Sequence, residues 1–274
     1  MVNSVCNRME RVKRMNALSV RLCDLGERNE ALHAAEAAVA ISRKLVAIQA
    51  DDILPSLAEG LNNLGMVLSY LKRRNEALTA AEEAVEIYRQ LMEKQPDAYR
   101  AELAGSLNTL GNILSSLWLR EEALAAAQES VEIRRQLAEG RPKTFLPDLA
   151  LSLNNLGNRL SELGRGEEAL RMVTESVEIR RQLVKGQADA CLPDLASSLN
   201  NLGRSHSELG RQTEAIEAAE EALTTLLPFF EQRPKGYATW MKVIVNNYLE
   251  YSKKACCETD LKLTNRVAAV FEKL

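Results

Sequence analysis

Apolar residues recur along the chain at spacings of three and four, which is the period of one face of an α-helix. Between residues 147 and 163, leucines stand at positions 149, 153, 156, 160 and 163, and this stripe predicts the first helix of a hairpin, helix A. Pro147 suits the first turn of this helix, because its missing N–H costs no hydrogen bond there. We expect Gly164 to Gly166 to end it.

A second amphipathic segment follows at once. From about Glu167 to Lys185 the apolar positions are 170, 173, 177, 179 and 183, and this pattern predicts helix B of the same hairpin. Gly157 of helix A and Ala169 of helix B place almost no side-chain volume between the two backbones. The two helices are therefore expected to cross at the short end of the usual interaxial range of roughly 8–10 Å.

The hairpin pattern repeats with a period of 46 residues. Residues 61–65 read Leu-Asn-Asn-Leu-Gly, and the same pattern returns at 107–111, 153–157 and 199–203, with weaker copies at 15–19 and 245–249. A Glu-Ala-Leu or Glu-Ala-Ile block lies downstream in five units, at 30–32, 76–78, 122–124, 168–170 and 214–216. Such periodicity predicts an all-α array of stacked helix-turn-helix units.

These positions resemble the tetratricopeptide repeat (TPR) family. The spacing of Leu153, Leu156, Gly157 and Leu160, followed by Ala169, is similar to the family pattern, whose usual unit has about 34 residues. This chain departs from it, because helix B continues where the family has its closing proline, through Arg43, Arg89, Arg135, Arg181 and Leu227. The longer unit resembles the kinesin-light-chain type and the arrays attached to bacterial signalling ATPases and proteases. The resemblance implies a right-handed α-solenoid whose concave face is lined by the A helices.

The unbroken register predicts one solenoid domain over residues 1–274. Its repeat units are expected at about 9–54, 55–100, 101–146, 147–192 and 193–238. Beyond them the pattern decays, and the apolar residues of 239–274 predict two degenerate helices that cap the last repeat.

Composition narrows the range of functions. The 38 acidic and 35 basic residues leave no cationic surplus, so we expect neither a nucleic-acid nor a membrane partner. The charged N-terminus and the lack of a long apolar run predict a cytoplasmic protein. Five cysteines without a CxxC pair and two histidines predict no metal and no cofactor. Because the chain also has no recognised catalytic motif, we expect no enzymatic activity.

Two adjacent columns of polar residues are not explained by packing alone. The first holds asparagine in all six units, at 16, 62, 108, 154, 200 and 246, and the second holds it in four, at 63, 155, 201 and 247. Asparagine is a mediocre helix former, but its amide complements the C=O and N–H groups of a peptide backbone. The first column is interpreted as structural, bonding the neighbouring repeat. The second is interpreted as ligand-facing, as the asparagine before Leu-Gly is in TPR proteins that bind extended peptides.

The sequence therefore predicts a non-catalytic scaffold that holds an extended segment of a partner protein through a ladder of asparagines. The predicted partner-binding residues are Asn63, Asn112, Asn155, Asn158, Asn201, Arg204 and Asn247. Two alternatives remain open at this point. The array could regulate, or dock on, a signalling ATPase or protease, or the protein could be an enzyme that uses cysteine or glutamate chemistry. The oligomeric state is not predicted.

Overall fold

A computed structural model describes residues 2–48, 53–95, 97–186 and 191–274. These residues form twelve α-helices and no strand. The helices are α1 (Val2–Asp24), α2 (Arg28–Val46), α3 (Leu54–Tyr70), α4 (Arg74–Lys94), α5 (Arg100–Ser116), α6 (Arg120–Gly140), α7 (Pro142–Glu162), α8 (Gly166–Gly186), α9 (Leu192–Glu208), α10 (Gln212–Gln232), α11 (Pro234–Lys254) and α12 (Leu261–Phe271). The prediction of an all-α fold is confirmed.

The helices form two compact units, Met1–Leu137 and Ala138–Leu274. The odd-numbered helices α1 to α11 are the A helices, and the even-numbered helices α2 to α10 are the B helices. In the first unit α1 packs on α2, α3 packs on α4, and α3 also contacts α2 and α5. In the second unit α7 packs on α8 and α9 on α10, while α9 contacts both α7 and α11. Each unit therefore stacks successive hairpins, as a repeat fold requires.

Every A helix ends in the same left-handed turn. Residues Gly26, Lys72, Trp118, Gly164, Gly210 and Cys256 have φ between 52° and 83°. The residue that follows donates its N–H five residues back, as Arg165 does to the carbonyl of Leu160 at 2.9 Å. This is the Schellman arrangement, which satisfies the last carbonyls of a helix. The prediction that the glycines after residue 163 end helix A is confirmed at Gly164.

Trp118 occupies this left-handed position at a cost, because its Cβ crowds the backbone there. Its side chain is 75% exposed and so gains little from burial. Trp118→Gly should therefore stabilise the protein by about 1 kcal/mol, whereas Gly164→Ala, which would meet no atom within 4 Å, should destabilise it by about the same amount. Urea unfolding of both variants shows whether each substitution raises or lowers the free energy of unfolding. A Trp118→Gly variant less stable than the parent would contradict the strain argument.

Helix α7 begins earlier than its leucine stripe predicts. Its first turn starts at Pro142, and Pro147 lies inside the helix rather than in the first turn, so that part of the prediction is wrong. The added turn gains an apolar anchor, because Phe145 is buried and the Arg141 guanidinium lies 4.9 Å from the centre of its ring. This burial offsets the hydrogen bond that Pro147 cannot donate.

The arginines that replace the closing proline join neighbouring B helices. Arg43 of α2 donates to Glu83 of α4 at 2.5 Å, and Arg181 of α8 donates to Glu221 of α10 at 2.6 Å. The predicted continuation of helix B through this position is confirmed, since both arginines lie inside their helices. Because the pairs are largely exposed, each contributes only about 0–1 kcal/mol to stability.

The core of the second unit extends into its last two helices. Phe230 of α10 and Tyr248 of α11 are fully buried, and the Phe230 ring lies 4.8 Å from that of Phe271 in α12. The Tyr248 hydroxyl donates to Glu220 at 2.8 Å and accepts from the N–H of Asp260 at 2.8 Å. These contacts tie α11 and α12 to the last B helix.

Candidate functional site

The second unit brings five of the seven predicted partner-binding residues onto neighbouring A helices. Asn155 and Asn158 lie on α7, Asn201 and Arg204 on α9, and Asn247 on α11. Residues three apart share one side of a helix. All five side chains are partly exposed. We call this set the amide face.

In α7 the neighbouring asparagine lies deeper and bonds the next repeat, whereas its equivalents Asn200 and Asn246 are partly exposed and exposed. Asn154 of α7 is 4% exposed and donates its amide to the Ser198 hydroxyl of α9 at 2.7 Å. The Ser198 oxygen lies 3.3 Å from that of Ser176 in α8, which donates to the carbonyl of Ala150 at 2.7 Å. A buried polar network thus connects three helices, and Asn154 supplies its link to the next hairpin.

The first unit contains a similar bond. Asn16 of α1 is fully buried, and its amide donates to the backbone carbonyl of Ser56 at 3.0 Å and to the carboxylate of Glu59 at 3.2 Å. Both acceptors belong to α3, the A helix of the next hairpin. This is the kind of bond that the structural interpretation of the first column expects.

The two columns meet at the end of the second unit. The amide of Asn247 donates to the side-chain oxygen of Asn200 at 2.9 Å. Both residues are partly exposed. This bond does not use the two N–H groups of Asn200 or the amide oxygen of Asn247, so donors and an acceptor remain on the pair. A peptide unit offers the complementary acceptor and donor.

Charges on the amide face are balanced. The Arg204 guanidinium donates to the side-chain oxygen of Asn158. The carboxylate of Glu208 lies 3.8 Å from the same guanidinium. Ser161 donates to the same carboxylate. Burial lowers the pKa of Arg159 beside this cluster, but an arginine with so high an ordinary pKa stays charged, and Glu162 lies 3.2 Å from it. The amide face therefore offers polar groups, and the charges beside it are paired.

The remaining two predicted residues lie in the first unit. Asn63 of α3 is only 6% exposed, unlike its partly exposed counterparts in the second unit, and its amide nitrogen has no hydrogen-bond partner among the described residues. Asn112 of α5 is exposed. It borders a cavity of about 140 Å³ that Tyr70 and Met66 also line. Both residues lie on A helices of the first unit.

Sequence reasoning missed one part of this region. It assigned Trp240 and Val243 to the cap, but their side chains are 45% and 47% exposed, whereas Met241 and Ile244 are buried. The two exposed residues line a cavity of about 130 Å³ together with Ser197 and Asn200. The helical period was the available signal, because the buried stripe of α11 runs through positions 241, 244, 248 and 251 and leaves Trp240 beside it.

His206 of α9 replaces an otherwise buried leucine. The equivalent residues in the three preceding units are Leu68, Leu114 and Leu160. Burial lowers the pKa of His206, and the adjacent Arg211 acts in the same direction, while Glu214, Glu167 and Glu217 oppose them. Its Nδ1 atom is buried and has no hydrogen-bond partner among the described residues. The neutral imidazole is therefore the favoured form in the folded protein.

This shift predicts a loss of stability in acid. The folded-state pKa of His206 is lower than in the unfolded chain, so the unfolded chain binds the extra proton as the pH falls through about 6.5. His206→Leu should remove this contribution and make the free energy of unfolding less dependent on pH between about 7.5 and 5.5. Chemical unfolding at several pH values measures the difference. Parallel pH profiles of the two proteins would contradict the prediction.

The described part of the chain contains neither a metal-binding cluster, nor a disulfide bond, nor a membrane-spanning helix. The described residues hold no group of three or more His, Cys, Asp or Glu side chains placed to bind a metal ion. All five cysteines are free thiols. No helix within the described ranges is long and apolar enough to cross a membrane.

Two family models, each described as tetratricopeptide repeat, match this chain. One matches residues 148–227, and the other matches residues 12–48, 57–97 and 103–140. Together they cover well over half of the sequence. No curated protein is significantly similar to the chain in sequence.

Several solved structures resemble this fold. A putative kinesin light chain of Podosopora anserina with nearly identical TPR-like repeats is 19% identical, with a TM-score of 0.60 over 81% of this chain and 97% of that one. BtubC (BKLC) of P. vanneervenii is 18% identical, with a TM-score of 0.54 over 82% and 92%. A thermophilic TPR protein of Thermus thermophilus is 18% identical, with a TM-score of 0.52 over 89% and 99%.

Proposed function

The chain belongs to the tetratricopeptide repeat family, and we propose that it is a non-catalytic scaffold that binds an extended segment of a partner protein on the amide face. The observation that carries this proposal is the contrast between the two adjacent asparagines of α7, together with the exposure of the second-column asparagine in α9. Asn154 uses its amide within the protein, whereas Asn155 and Asn201 remain partly exposed.

The geometry of a repeat fold suits this partner. If neighbouring A helices stand roughly 10 Å apart, an extended chain that rises about 3.3 Å per residue meets a new amide at every third residue. Asn155, Asn201 and Asn247 then form successive rungs. Each rung exchanges hydrogen bonds with the main chain of the partner and leaves its side chains free to contact neighbouring residues of the face.

The electrostatics favour a segment of low charge. Arg204 and Arg159 are matched by Glu208 and Glu162, so the face does not attract a strongly acidic or basic peptide. The net charge of −3 also disfavours nucleic acid. The free cysteines fit the reducing cytoplasm, which is where we place the protein.

Truncation of two rungs tests the proposal. A heptapeptide library displayed on phage is selected against the protein, and a selected peptide is then titrated against Asn155→Ala/Asn201→Ala. We expect affinity to fall about tenfold or more, since two hydrogen bonds at about 1 kcal/mol each are lost. The melting midpoint should change little, and binding should depend weakly on salt because the face is balanced in charge.

A matched double variant controls for the loss of asparagine itself. Asn75 and Asn265 are exposed and lie outside the amide face, so Asn75→Ala/Asn265→Ala should leave the affinity unchanged. Equal affinity of all three proteins, or a library that yields no binder to the parent, would refute the proposed function.

A further inference from the structure

The cavity beside the Asn200–Asn247 pair has the shape and chemistry of a side-chain pocket. It has a volume of about 130 Å³ and is bordered by Ser197 and Asn200 of α9 and by Trp240, Val243 and Ile244 of α11. None of these five residues is charged. Ile244 is 2% exposed and forms the floor, while Trp240 and Val243 stand as half-exposed walls.

A small residue opens this pocket. Ser197 occupies the same repeat position as Leu151 in the preceding unit and Val243 in the following one. Leu151 is 47% exposed, as is Val243. Serine is therefore smaller than the apolar side chain at this position in each of the two flanking units, and it leaves a gap beside them. Filling such a gap with an apolar group removes the walls from water, which is favourable by about 25 cal/mol for each Å² covered.

Contacts with two other aromatic rings orient the indole ring of Trp240. The ring of Tyr237 lies 6.3 Å from that of Trp240 at an interplanar angle of 71°, and the ring of Phe229 lies 6.0 Å from that of Tyr237 at 63°. Edge-to-face contacts of this kind favour one orientation of each ring. The indole thus presents a positioned apolar surface rather than a freely rotating one.

The amides at the rim suit a peptide rather than a free hydrocarbon. Asn200 borders the pocket and accepts a hydrogen bond from Asn247 at 2.9 Å. The two N–H groups of Asn200 and the amide oxygen of Asn247 are not used in this bond, and they match the C=O and N–H groups beside a side chain. The pocket and the pair together therefore match one apolar residue within an extended chain.

We infer that this pocket selects the partner segment by receiving one uncharged apolar side chain of about leucine or methionine size while the Asn200–Asn247 pair binds the adjoining peptide group. The inference rests on the proposed function. It adds that one apolar residue of the partner segment determines the specificity of binding. The neutral lining decides against a charged side chain, because no group in the pocket would compensate for its lost hydration.

A small probe tests the pocket without knowledge of the partner. N-acetyl-leucine N-methylamide carries one leucine side chain between two peptide groups, and the glycine and aspartate analogues serve as controls. The chain has two tryptophans, Trp118 in the first unit and Trp240 in the second. Their indole ¹H–¹⁵N signals, assigned with Trp118→Phe, report on each unit separately. We expect the leucine probe to shift the Trp240 signal saturably, with no effect on Trp118 and little effect from either control probe.

Two variants locate the binding. Ser197→Leu fills the pocket at a partly exposed position, so the protein should remain folded while the leucine probe binds about tenfold or more weakly, the factor expected when a leucine side chain can no longer be buried. Thr224→Leu adds the same side chain to an exposed position on α10 and should leave the titration unchanged.

The outcomes separate this inference from the proposed function. Equal shifts with the leucine and glycine probes, or an unchanged titration in Ser197→Leu, would overturn the pocket even if phage peptides bind the amide face. A saturable, leucine-dependent shift would support the pocket even if the Asn155 and Asn201 variants bind peptides normally. A Trp240 shift that depends on protein concentration without probe would assign the pocket to a second copy of this chain and would also overturn the inference.

Discussion

Replacing Ala123 by leucine should lower the free energy of unfolding by about 1–3 kcal/mol, because the added side chain overpacks a crossing of two helix backbones. Ala123 of α6 is fully buried. Its carbonyl oxygen would lie 3.3 Å from a Cβ atom added to Gly111 of α5. The two helices therefore meet with almost no side-chain volume between them, and a leucine can be accommodated only if they move apart.

The control for this variant lies two residues away. Ala125 is on the same helix but is exposed, so Ala125→Leu should change stability by less than about 0.5 kcal/mol. Urea unfolding of the two variants compares them directly. Similar unfolding midpoints would show that the crossing is not tight.

The same crossing recurs in other hairpins, which strengthens the expectation. A Cβ added to Gly65, Gly157 or Gly203 would lie 3.0–3.3 Å from the carbonyl oxygen of the alanine on the facing helix. In the first hairpin the glycine position holds Ser19, whose hydroxyl donates to the carbonyl of Ala31 at 3.0 Å. The facing carbonyl is thus approached closely in each case, either by a bare Cα or by a hydroxyl donor.

Much of this arrangement could be predicted from the sequence, because it depends on local periodicity. The stripe of leucines, the glycine after residue 163 and the small residues at 157 and 169 each act within one hairpin. Their physical requirements, one apolar helix face and a close backbone approach, follow from residue type alone. The family resemblance rested on the same positions.

Features that depend on the relation between hairpins could not be predicted. The early start of α7 depends on the burial of Phe145, a residue outside the repeating stripe. The pocket beside Trp240 depends on Ser197 of one helix facing α11 of the next hairpin. Asn63 and Asn155 occupy equivalent positions in the sequence, yet one is buried and the other is partly exposed. Periodicity assigns equivalent residues the same environment and carries no information on such differences.

The second large effect is expected at the buried asparagine of α7. Asn154→Ala should destabilise the protein by about 1–3 kcal/mol, because it removes a 2.7 Å hydrogen bond to Ser198 and leaves that hydroxyl in a buried network with one partner fewer. Ser176 and Ser198 are both fully buried, so water does not readily replace the lost amide. Thermal unfolding followed by circular dichroism measures the loss.

Asn155→Ala provides the matched comparison, since the two asparagines are adjacent in sequence and differ in burial. A partly exposed amide exchanges its hydrogen bonds with water, and its removal should cost less than about 0.5 kcal/mol. The two single variants therefore separate the contribution of asparagine to the fold from its contribution to binding. If Asn155→Ala proved the more destabilising of the two, the ligand-facing column would have to be moved one residue back, to Asn154 and Asn200, and the proposed rungs would move with it.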